Sequence, residues 1–251
     1  MLLAIDVGNT NIVLSFCDLN GDLIHTIRRN TEEVHDEITL FEAIRDCHQE
    51  VKQIVFASVV PRVDQLILNI GSRYFSVVPM QVKTGDESVG LKIDIDKPNT
   101  LGADRIAVAI GGIKKYGNNL LILDFGTAIT FDVINESGAF VGGVVTAGIK
   151  TAVKALQSST ALLPLGKLDK IDVKIPRNIE DAIMYGLFFG YIGLVKEIVF
   201  QLKSNYNGQL KVVITGGEGK LISDNIDLDH IYDPDLVING LVEIFKQKNG
   251  F

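Results

Sequence analysis

The sequence predicts an α/β protein made of two copies of one unit, each a mixed β-sheet flanked by helices. Two observations carry this prediction. The stretch LLAIDVGNTN, Leu2–Asn11, returns as LLILDFGTAI, Leu120–Ile129, with Asp6 aligned on Asp124 and a glycine two residues after each aspartate. Each copy is followed by a similar succession of strand and helix patterns. Such a repeat indicates a duplicated unit, and coincidence between two ordinary hairpins is the alternative.

The first copy opens a meander of three antiparallel strands. After its first strand, IVLSFCDL and LIHTIRR are typical of strands around the turn Asn20-Gly21-Asp22. Apolar spacing and breaker residues then predict a helix over Glu37–His48, a buried strand over Gln53–Val59, a helix after Pro61 and a helix over Gly102–Tyr116.

The second copy repeats this organisation. AITFDVI and AFVGGVV flank a turn at Asn135–Gly138. The later patterns predict a long helix over Ile179–Asn205, a strand over Leu210–Thr215, a short helix after the segment TGGEG and a closing helix over Leu236–Lys248. The turn-rich triplet Gly117-Asn118-Asn119 stands just before the second copy, so we predict an N-terminal domain 1–117 and a C-terminal domain 118–251.

The composition restricts the class of protein. Hydrophobic residues make up 47% of the 251 residues, which is ample for real cores. With 24 basic against 31 acidic residues, the net charge of −7 argues against nucleic acid as a partner. No secretory signal and no apolar run long enough for a bilayer is visible, and Cys17 and Cys47 lack metal-type spacing. We therefore expect a cytoplasmic protein without membrane association.

Both copies deliver an aspartate to a glycine turn, an arrangement that suits phosphate binding. Gly8 and Gly126 let the backbone approach a phosphate closely, and the N–H groups of such turns are donors. Short polar side chains follow at Asn9, Thr10, Asn11 and Thr127. Because like charges repel, Asp6 and Asp124 need a cation or a water between themselves and a phosphate. Ordinary hairpin ends use the same residue types, which is the alternative explanation.

A third glycine-rich segment, VVITGGEGKLI, follows a predicted strand. Without side chains at Gly216, Gly217 and Gly219, a flat adenine ring could rest against the backbone. The alternative is a plain tight connection between strand and helix. The chain has neither G-x-x-x-x-G-K-[ST] nor G-x-G-x-x-G after a strand, which argues against the P-loop and dinucleotide-binding classes.

The segment NTLGADRIAVAIGG offers a candidate proton acceptor. Thr100 or Asn99 is expected to cap the helix, which puts Asp104 in or near the first turn. There the helix dipole favours the ionised carboxylate. The alternative is that Asp104 only complements the dipole, with Arg105 on the surface.

Taken together, these motifs resemble those of the type III pantothenate kinase family, within the actin and sugar kinase superfamily. DVGNTN at Asp6–Asn11 resembles its first phosphate motif, and DFGTAIT at Asp124–Thr130 its second. GADR at Gly102–Arg105 resembles its pantothenate motif, and TGGEG at Thr215–Gly219 its adenosine motif. GGVVTAG, Gly142–Gly148, resembles the glycine-rich segment after the second phosphate motif. The resemblance covers essentially the whole chain and implies a duplicated ribonuclease H-like (actin-like ATPase) fold.

The resemblance also implies a reaction, the ATP-dependent phosphorylation of pantothenate in the first step of coenzyme A synthesis. Asp104 would accept the proton, Asp124 would bind a monovalent cation such as K⁺ or NH₄⁺, and Mg²⁺ would accompany ATP. The implied ATP contacts are Asp6, Val7, Gly8, Asn9, Thr10, Asn11, Ile12, Val13 and Thr127. The implied pantothenate contacts are Gly102, Ala103, Asp104, Arg105 and Ile179. Arg105 has the charge to pair with the pantothenate carboxylate.

Three positions depart from the family pattern. Ile95 stands where the family usually has tyrosine, Ile179 where it usually has threonine, and Ala147 where proline is common. The first two resemble substrate contacts, so two hydroxyl groups are missing there. Two rival functions stay open: a non-catalytic accessory factor, which the two isoleucines support, and a kinase for another hydroxylated substrate such as a sugar. A third alternative is a two-metal nuclease of the ribonuclease H type, but the acidic balance and the absence of a basic groove argue against it.

The predicted helix Ile179–Asn205 also bears on assembly. Apolar and aromatic residues lie on nearly every face, while a surface helix would show a polar side. Gly186 and Gly190, four residues apart, form a flat strip against which another helix can pack. A helix fully buried inside one domain is the alternative. Because the family forms dimers, the resemblance implies a homodimer with this helix near the two-fold axis.

Overall fold

A computed structural model describes residues 1–18, 20–45, 51–159 and 175–250 of the chain, which forms two compact units. The N-unit comprises Met1–Asn118, Asn135–Val141 and Asp235–Phe251, and the C-unit comprises Asn119–Ile134 and Gly142–Pro234. The predicted domains 1–117 and 118–251 stay a prediction. The compact units differ from them in assigning residues 135–141 and the last helix to the N-unit.

Strands and helices follow each other largely as the sequence predicts. The strands are β1 (Leu2–Val7), β2 (Asn11–Cys17), β3 (Leu23–Asn30), β4 (Gln53–Ser58), β5 (Met80–Val82), β6 (Leu120–Phe125), β7 (Ala128–Ile134), β8 (Phe140–Ala147), β9 (Lys211–Thr215) and β10 (Ile231–Tyr232). The helices are α1 (Glu37–Glu42), α2 (Pro61–Ile70), α3 (Ala103–Tyr116), α4 (Ile149–Ser159), α5 (Ile179–Asn205), α6 (Gly219–Ser223) and α7 (Leu236–Asn249). Helix α1 is shorter than predicted, and Cys47 with the end of the predicted helix lies outside the described residues.

The N-unit contains a five-stranded mixed sheet in the order β3-β2-β1-β4-β5. Strand β1 is antiparallel to β2 and parallel to β4, and β4 is parallel to β5. The apolar residues of β1 and β4 are buried because helices cover this part of the sheet. The carboxyl end of β1 therefore delivers Asp6 and the turn after it to one edge of the sheet.

The second sheet repeats this design with the order β8-β7-β6-β9-β10. Strand β6 is antiparallel to β7 and parallel to β9, as β1 is to β2 and β4. In both β1 and β6 the fifth residue alone is half-buried and the other five are buried. That fifth residue is Asp6 in one sheet and Asp124 in the other, so the predicted duplication and fold class are confirmed.

Helices α3 and α7 pack closely within the N-unit because glycines lie at their contact. A Cβ atom on Gly240 would lie 1.8 Å from the carbonyl oxygen of Ala107. A Cβ atom on Gly111 would lie 2.3 Å from the carbonyl oxygen of Leu236. Any larger residue at these two positions would push the helices apart. The two glycines therefore allow α7 to pack directly against α3, the helix that carries Asp104.

Helix α5 begins and ends where the sequence predicts, but much of its apolar surface is exposed. Of its residues, Phe188, Tyr191, Val195 and Val199 are buried. Phe200 is 62% exposed and Phe189 is 43% exposed. By length and composition alone, this 27-residue helix is long and apolar enough to cross a membrane. On these two criteria, the expectation that no apolar run could span a bilayer does not hold.

Candidate functional site

The turn between β1 and β2 is the first predicted phosphate motif. The N–H group of Gly8 donates to the carbonyl oxygen of Asn11 at 2.9 Å, which closes the turn. Asn9 is exposed at its tip, and Asp6 is half-buried at the end of β1. Among the other residues predicted to contact ATP, Val7 and Ile12 are at most 1% exposed. Their side chains belong to the core, so they can offer a ligand only backbone atoms.

The second predicted phosphate motif is the turn between β6 and β7 in the C-unit. The N–H group of Gly126 donates to the carbonyl oxygen of Ala128 at 3.0 Å. The carbonyl oxygen of Thr127 accepts from the N–H group of Gly148 at 2.9 Å and from the hydroxyl of Thr151 at 2.7 Å. The glycine-rich segment that ends β8 therefore holds this turn.

The adenosine motif lies beside the second phosphate motif within the C-unit. Thr215, the last residue of β9, pairs with Asp124 across the sheet. Gly216 has φ +88°, and a Cβ atom there would lie 2.4 Å from Oδ1 of Asp124 and 2.5 Å from the backbone nitrogen of Phe125. Only glycine fits so close to the aspartate. Two motifs predicted from separate parts of the sequence are thus neighbours.

Side-chain contacts of Glu218 and Tyr191 connect the adenosine motif and the glycine-rich segment to helices α4 and α5. Lys150, at the start of α4, forms an ion pair with Glu218 of the adenosine motif at 2.9 Å. The hydroxyl of Tyr191 on α5 lies 3.0 Å from the carbonyl oxygen of Ala147 and 3.2 Å from that of Gly148. Burial, and to a lesser degree the charge of Glu218, raises the pKa of Tyr191. The phenol is therefore protonated at neutral pH and acts as the donor.

The substrate motif GADR forms the start of α3 in the N-unit. Asp104 lies half-buried in the first turn, as predicted, and its Oδ1 accepts from the N–H group of Arg105 at 2.8 Å. A Cβ atom on Gly102 would lie 2.5 Å from that same Oδ1, so the glycine makes room for the carboxylate. The guanidinium of Arg105 lies 5.2 Å from the ring centroid of Phe140. Arg105 is half-buried, unlike the exposed residue of the alternative interpretation.

The predicted cap of α3 was wrong. Gly102 occupies the N-cap position, and no side chain caps the helix. The hydroxyl of Thr100 instead donates to the carbonyl oxygen of Lys97 at 2.7 Å, within a 3₁₀ turn that precedes the helix. Proline at position 98 begins that turn, and this local structure competes successfully with capping.

The two isoleucines that depart from the family pattern lie in different units. Ile95 is half-buried in the N-unit. Ile179 is the first residue of α5 and is 56% exposed, next to the N-cap residue Asn178. A substrate contact through Ile179 stays a prediction.

The oxygen ligands that the phosphate motifs offer suit a metal ion that binds together with a nucleotide. Within the part of the chain that the structure describes, no group of three His, Cys, Asp or Glu side chains is placed to hold an ion. Mg²⁺ is usually held by one or two carboxylates together with phosphate oxygens and water. Asp6 and Asp124, each half-buried near the end of a strand, supply hard oxygen atoms, so the motifs suit both Mg²⁺ bound with a nucleotide and a separate monovalent cation at Asp124.

Sequence reasoning missed several residues that hold these motifs. It did not assign roles to Thr31, Gly148, Thr151 or Tyr191. Gly148 closes a segment already noted for its glycines, which was the one usable signal. Thr31 and Thr151 are ordinary hydroxyl residues without any distinguishing pattern around them, and the apolar pattern of the helix that contains Tyr191 does not single out that residue.

Comparison with known proteins shows the family. The model of the type III pantothenate kinase family matches residues 2–201. A type III pantothenate kinase from Persephonella marina (strain DSM 14350 / EX-H1) is 34% identical over 254 residues, which cover 98% of this chain and 98% of that protein. The family model and a relative that matches over nearly its whole length therefore indicate the same family.

Solved structures show the fold. A protein described as a Baf family transcriptional activator from Campylobacter jejuni has a TM-score of 0.63 at 23% identity, covering 99% of this chain and 100% of its own. The activator of 2-hydroxyisocaproyl-CoA dehydratase from Clostridium difficile, with bound ADPNP, has a TM-score of 0.58 at 12% identity, covering 99% and 96%. A ROK family glucokinase from Streptomyces griseus, in complex with glucose and AMPPNP, has a TM-score of 0.52 at 10% identity, covering 97% of each chain.

At these identities the structural likeness shows only the duplicated ribonuclease H-like (actin-like ATPase) fold, so the family assignment depends on the sequence. The motifs, their order and the family match agree over most of the chain. This chain belongs to the type III pantothenate kinase family.

Proposed function

We propose that this chain transfers the γ-phosphate of ATP to the hydroxyl of pantothenate, giving 4'-phosphopantothenate in the first step of coenzyme A biosynthesis, with Asp104 as proton acceptor. The position of Asp104 in the first turn of α3, inside the motif GADR, carries the proposal. A carboxylate in this position can accept the proton of a substrate hydroxyl.

The reaction exchanges one bond to phosphorus for another. The hydroxyl oxygen of pantothenate bonds to the γ-phosphorus while the bond from that phosphorus to the bridging oxygen breaks, and ADP leaves. The hydroxyl proton goes to the carboxylate of Asp104. Gly102 leaves space for this carboxylate. The hydrogen bond that the carboxylate accepts from the N–H group of Arg105 fixes the orientation of the Asp104 side chain.

The two phosphate turns bind ATP. The backbone and the short polar side chains of residues 6–13 are donors for phosphate oxygens, and Thr127 is the corresponding contact in the C-unit. Bound with ATP, Mg²⁺ neutralises charge on the phosphate oxygens. Asp124 holds a monovalent cation, K⁺ or NH₄⁺, because a carboxylate beside a phosphate needs a positive charge next to it.

Pantothenate contacts residues 102–105 and Ile179. The guanidinium of Arg105 suits the pantothenate carboxylate, since such pairs form two parallel hydrogen bonds. Its position over the ring of Phe140 limits its freedom before substrate binds. Ile179 and Ile95 supply apolar surface where the family usually has hydroxyl groups.

The chain acts as a cytoplasmic homodimer through α5. The exposed Phe189 and Phe200 support this, because a lone chain gains nothing from leaving large apolar side chains in water. Among the residues that the structure describes, no heavy atom outside the helix lies within 4 Å of the Cβ positions at Gly186, Gly190 and Gly193, so a second helix has room to approach. Light scattering at micromolar concentration should give twice the chain mass. A stable monomer, or a protein recovered only from membranes, would contradict this.

The assay that tests the reaction measures ADP release with pantothenate, with common sugars and without an acceptor. Turnover should require pantothenate, and replacement of K⁺ and NH₄⁺ by sodium should lower it. Asp104→Asn should reduce turnover by about 100-fold or more, since that is the usual contribution of a general base. Turnover with a sugar would favour a sugar kinase. ATP binding without turnover on any acceptor would favour the accessory factor.

A further inference from the structure

Thr31 touches the first phosphate turn at two points. It is the first residue after β3 and begins a 3₁₀ turn, Thr31–Glu33. Its hydroxyl donates to the carbonyl oxygen of Gly8 at 2.7 Å, and its N–H group donates to the carbonyl oxygen of Thr10 at 3.0 Å. The residue is 2% exposed. One buried threonine therefore satisfies two of the carbonyl groups of the turn.

The bond to Gly8 sets the direction of the neighbouring donor. In a planar trans peptide the C=O and N–H groups point in opposite directions, and the described residues contain no cis peptide. With the carbonyl of Gly8 fixed on Thr31, the N–H group of Asn9 points to the opposite side of the turn. A carbonyl oxygen facing a phosphate repels it, whereas an N–H group attracts it.

Arg62 braces Thr31 from α2. Its Nη2 donates to the carbonyl oxygen of Thr31 at 2.6 Å, and its Nη1 donates to the carbonyl oxygen of Val34. The guanidinium thus bridges the beginning of the 3₁₀ turn and the residue after its end. Hydrogen bonds from a charged donor are stronger than neutral ones, and a planar fork holds both acceptors in one geometry.

We propose that Thr31 is a positioning residue for ATP, because it holds the first phosphate turn with its donors directed at the phosphates, and that Arg62 supports it. This rests on the proposed role of residues 6–13 in ATP binding. Thr31 does not itself touch the nucleotide. Its hydroxyl acts through the backbone of Gly8. Loss of this hydroxyl should therefore weaken the binding of ATP far more than the binding of pantothenate.

The test compares Thr31→Val, which removes the hydroxyl at nearly constant shape, with Thr31→Ser, which keeps it. The control is Thr26→Val within β3, where the hydroxyl of an exposed threonine bonds to the Ser15 hydroxyl at 3.0 Å, away from the turn. For each variant, ATP binding is measured by calorimetry, the KM for each substrate by steady-state kinetics, and folding by thermal denaturation.

Thr31→Val should raise the Kd and KM for ATP about tenfold, which is the effect of one lost hydrogen bond, and leave the KM for pantothenate within about twofold. Thr31→Ser and Thr26→Val should bind ATP like the unmodified chain. Unchanged ATP binding in a folded Thr31→Val protein would overturn the proposal, and so would an equal loss in Thr26→Val.

Arg62→Lys provides a second route if Thr31→Val does not fold. It keeps the charge but loses the fork, and it should raise the KM for ATP by about threefold without changing the KM for pantothenate. An Arg62→Lys protein with an unchanged KM for ATP would overturn the supporting role. If the unmodified chain fails to bind ATP at all, the assignment of the turn itself is wrong. If it binds ATP and the variants match it, only the positioning role is wrong.

Discussion

The first phosphate turn has three residues between β1 and β2, whereas the second has two between β6 and β7. In both units, support comes from the residue directly after the third strand, Thr31 after β3 and Gly148 after β8. Thr31 uses its hydroxyl and N–H group on two carbonyls. Gly148 uses its N–H group on one carbonyl and depends on having no side chain. The duplication has kept the position of the support while its chemistry has diverged.

The supporting residues also differ in what stands behind them. Thr31 is braced by the guanidinium of Arg62, on a helix of the N-unit. Gly148 is contacted by the phenol of Tyr191, on the long apolar helix α5. Both contacts are made to the backbone carbonyl oxygen of the supporting residue, but Gly148 has no side chain to bond the turn and relies on its N–H group and on close packing. We therefore expect the two turns to respond differently to small changes.

The largest effect is expected for Gly148→Ala. A Cβ atom there would lie 2.1 Å from the carbonyl oxygen of Gly126 and 2.7 Å from that of Thr127. The backbone of Gly126 and Thr127 cannot move away from the new methyl group without displacing the turn. We therefore expect a loss of about 3 kcal/mol in the free energy of unfolding. ATP binding should be lost with it. Denaturant unfolding measures the first effect and calorimetry the second. Stability like that of the unmodified chain would mean that the turn and the segment after β8 separate easily.

Gly126→Ala should separate stability from binding. The nearest atom to a Cβ there is the carbonyl oxygen of Ala128 at 3.6 Å, an ordinary contact, so unfolding free energy should change by less than about 1 kcal/mol. A methyl group at the turn would nevertheless keep a phosphate from the backbone, and we expect ATP affinity to fall about tenfold. Full ATP affinity in this variant would show that the glycine does not lie against a phosphate.

The smallest effect is expected for Tyr191→Phe. The change removes the donor to the carbonyl oxygens of Ala147 and Gly148 and keeps the ring, so the cost should be about 1 kcal/mol of stability. The KM for ATP should rise by roughly threefold or less, because the turn is reached only through Gly148. Tyr185→Phe, on the same helix, is the control and should change neither quantity. Equal behaviour of the two variants would remove Tyr191 from the support of the turn.

Much of the site follows from local patterns. Asp6 and Asp124 each lie one residue before the end of a strand, next to the predicted turn, and Asp104 lies in the first turn of its helix. These placements depend on alternation, turn residues and helix spacing, which neighbouring residues encode. The cap of α3 failed because two local structures competed for Thr100, and the 3₁₀ turn that begins at Pro98 took its hydroxyl. Near-equal local alternatives cannot be ranked from sequence alone.

The sequence by itself determined the duplicated strand-and-turn pattern and the order of the motifs, because these rest on periodicity and turn chemistry within short stretches. Only the tertiary structure decided which residues hold the turns. Thr31 is 23 residues from Gly8, and Tyr191 is 44 residues from Ala147. A hydroxyl group bonds whichever backbone carbonyl the fold brings within 3 Å, and any carbonyl in the chain is chemically equivalent. The choice of partner is therefore made by packing, which side-chain identity alone does not specify.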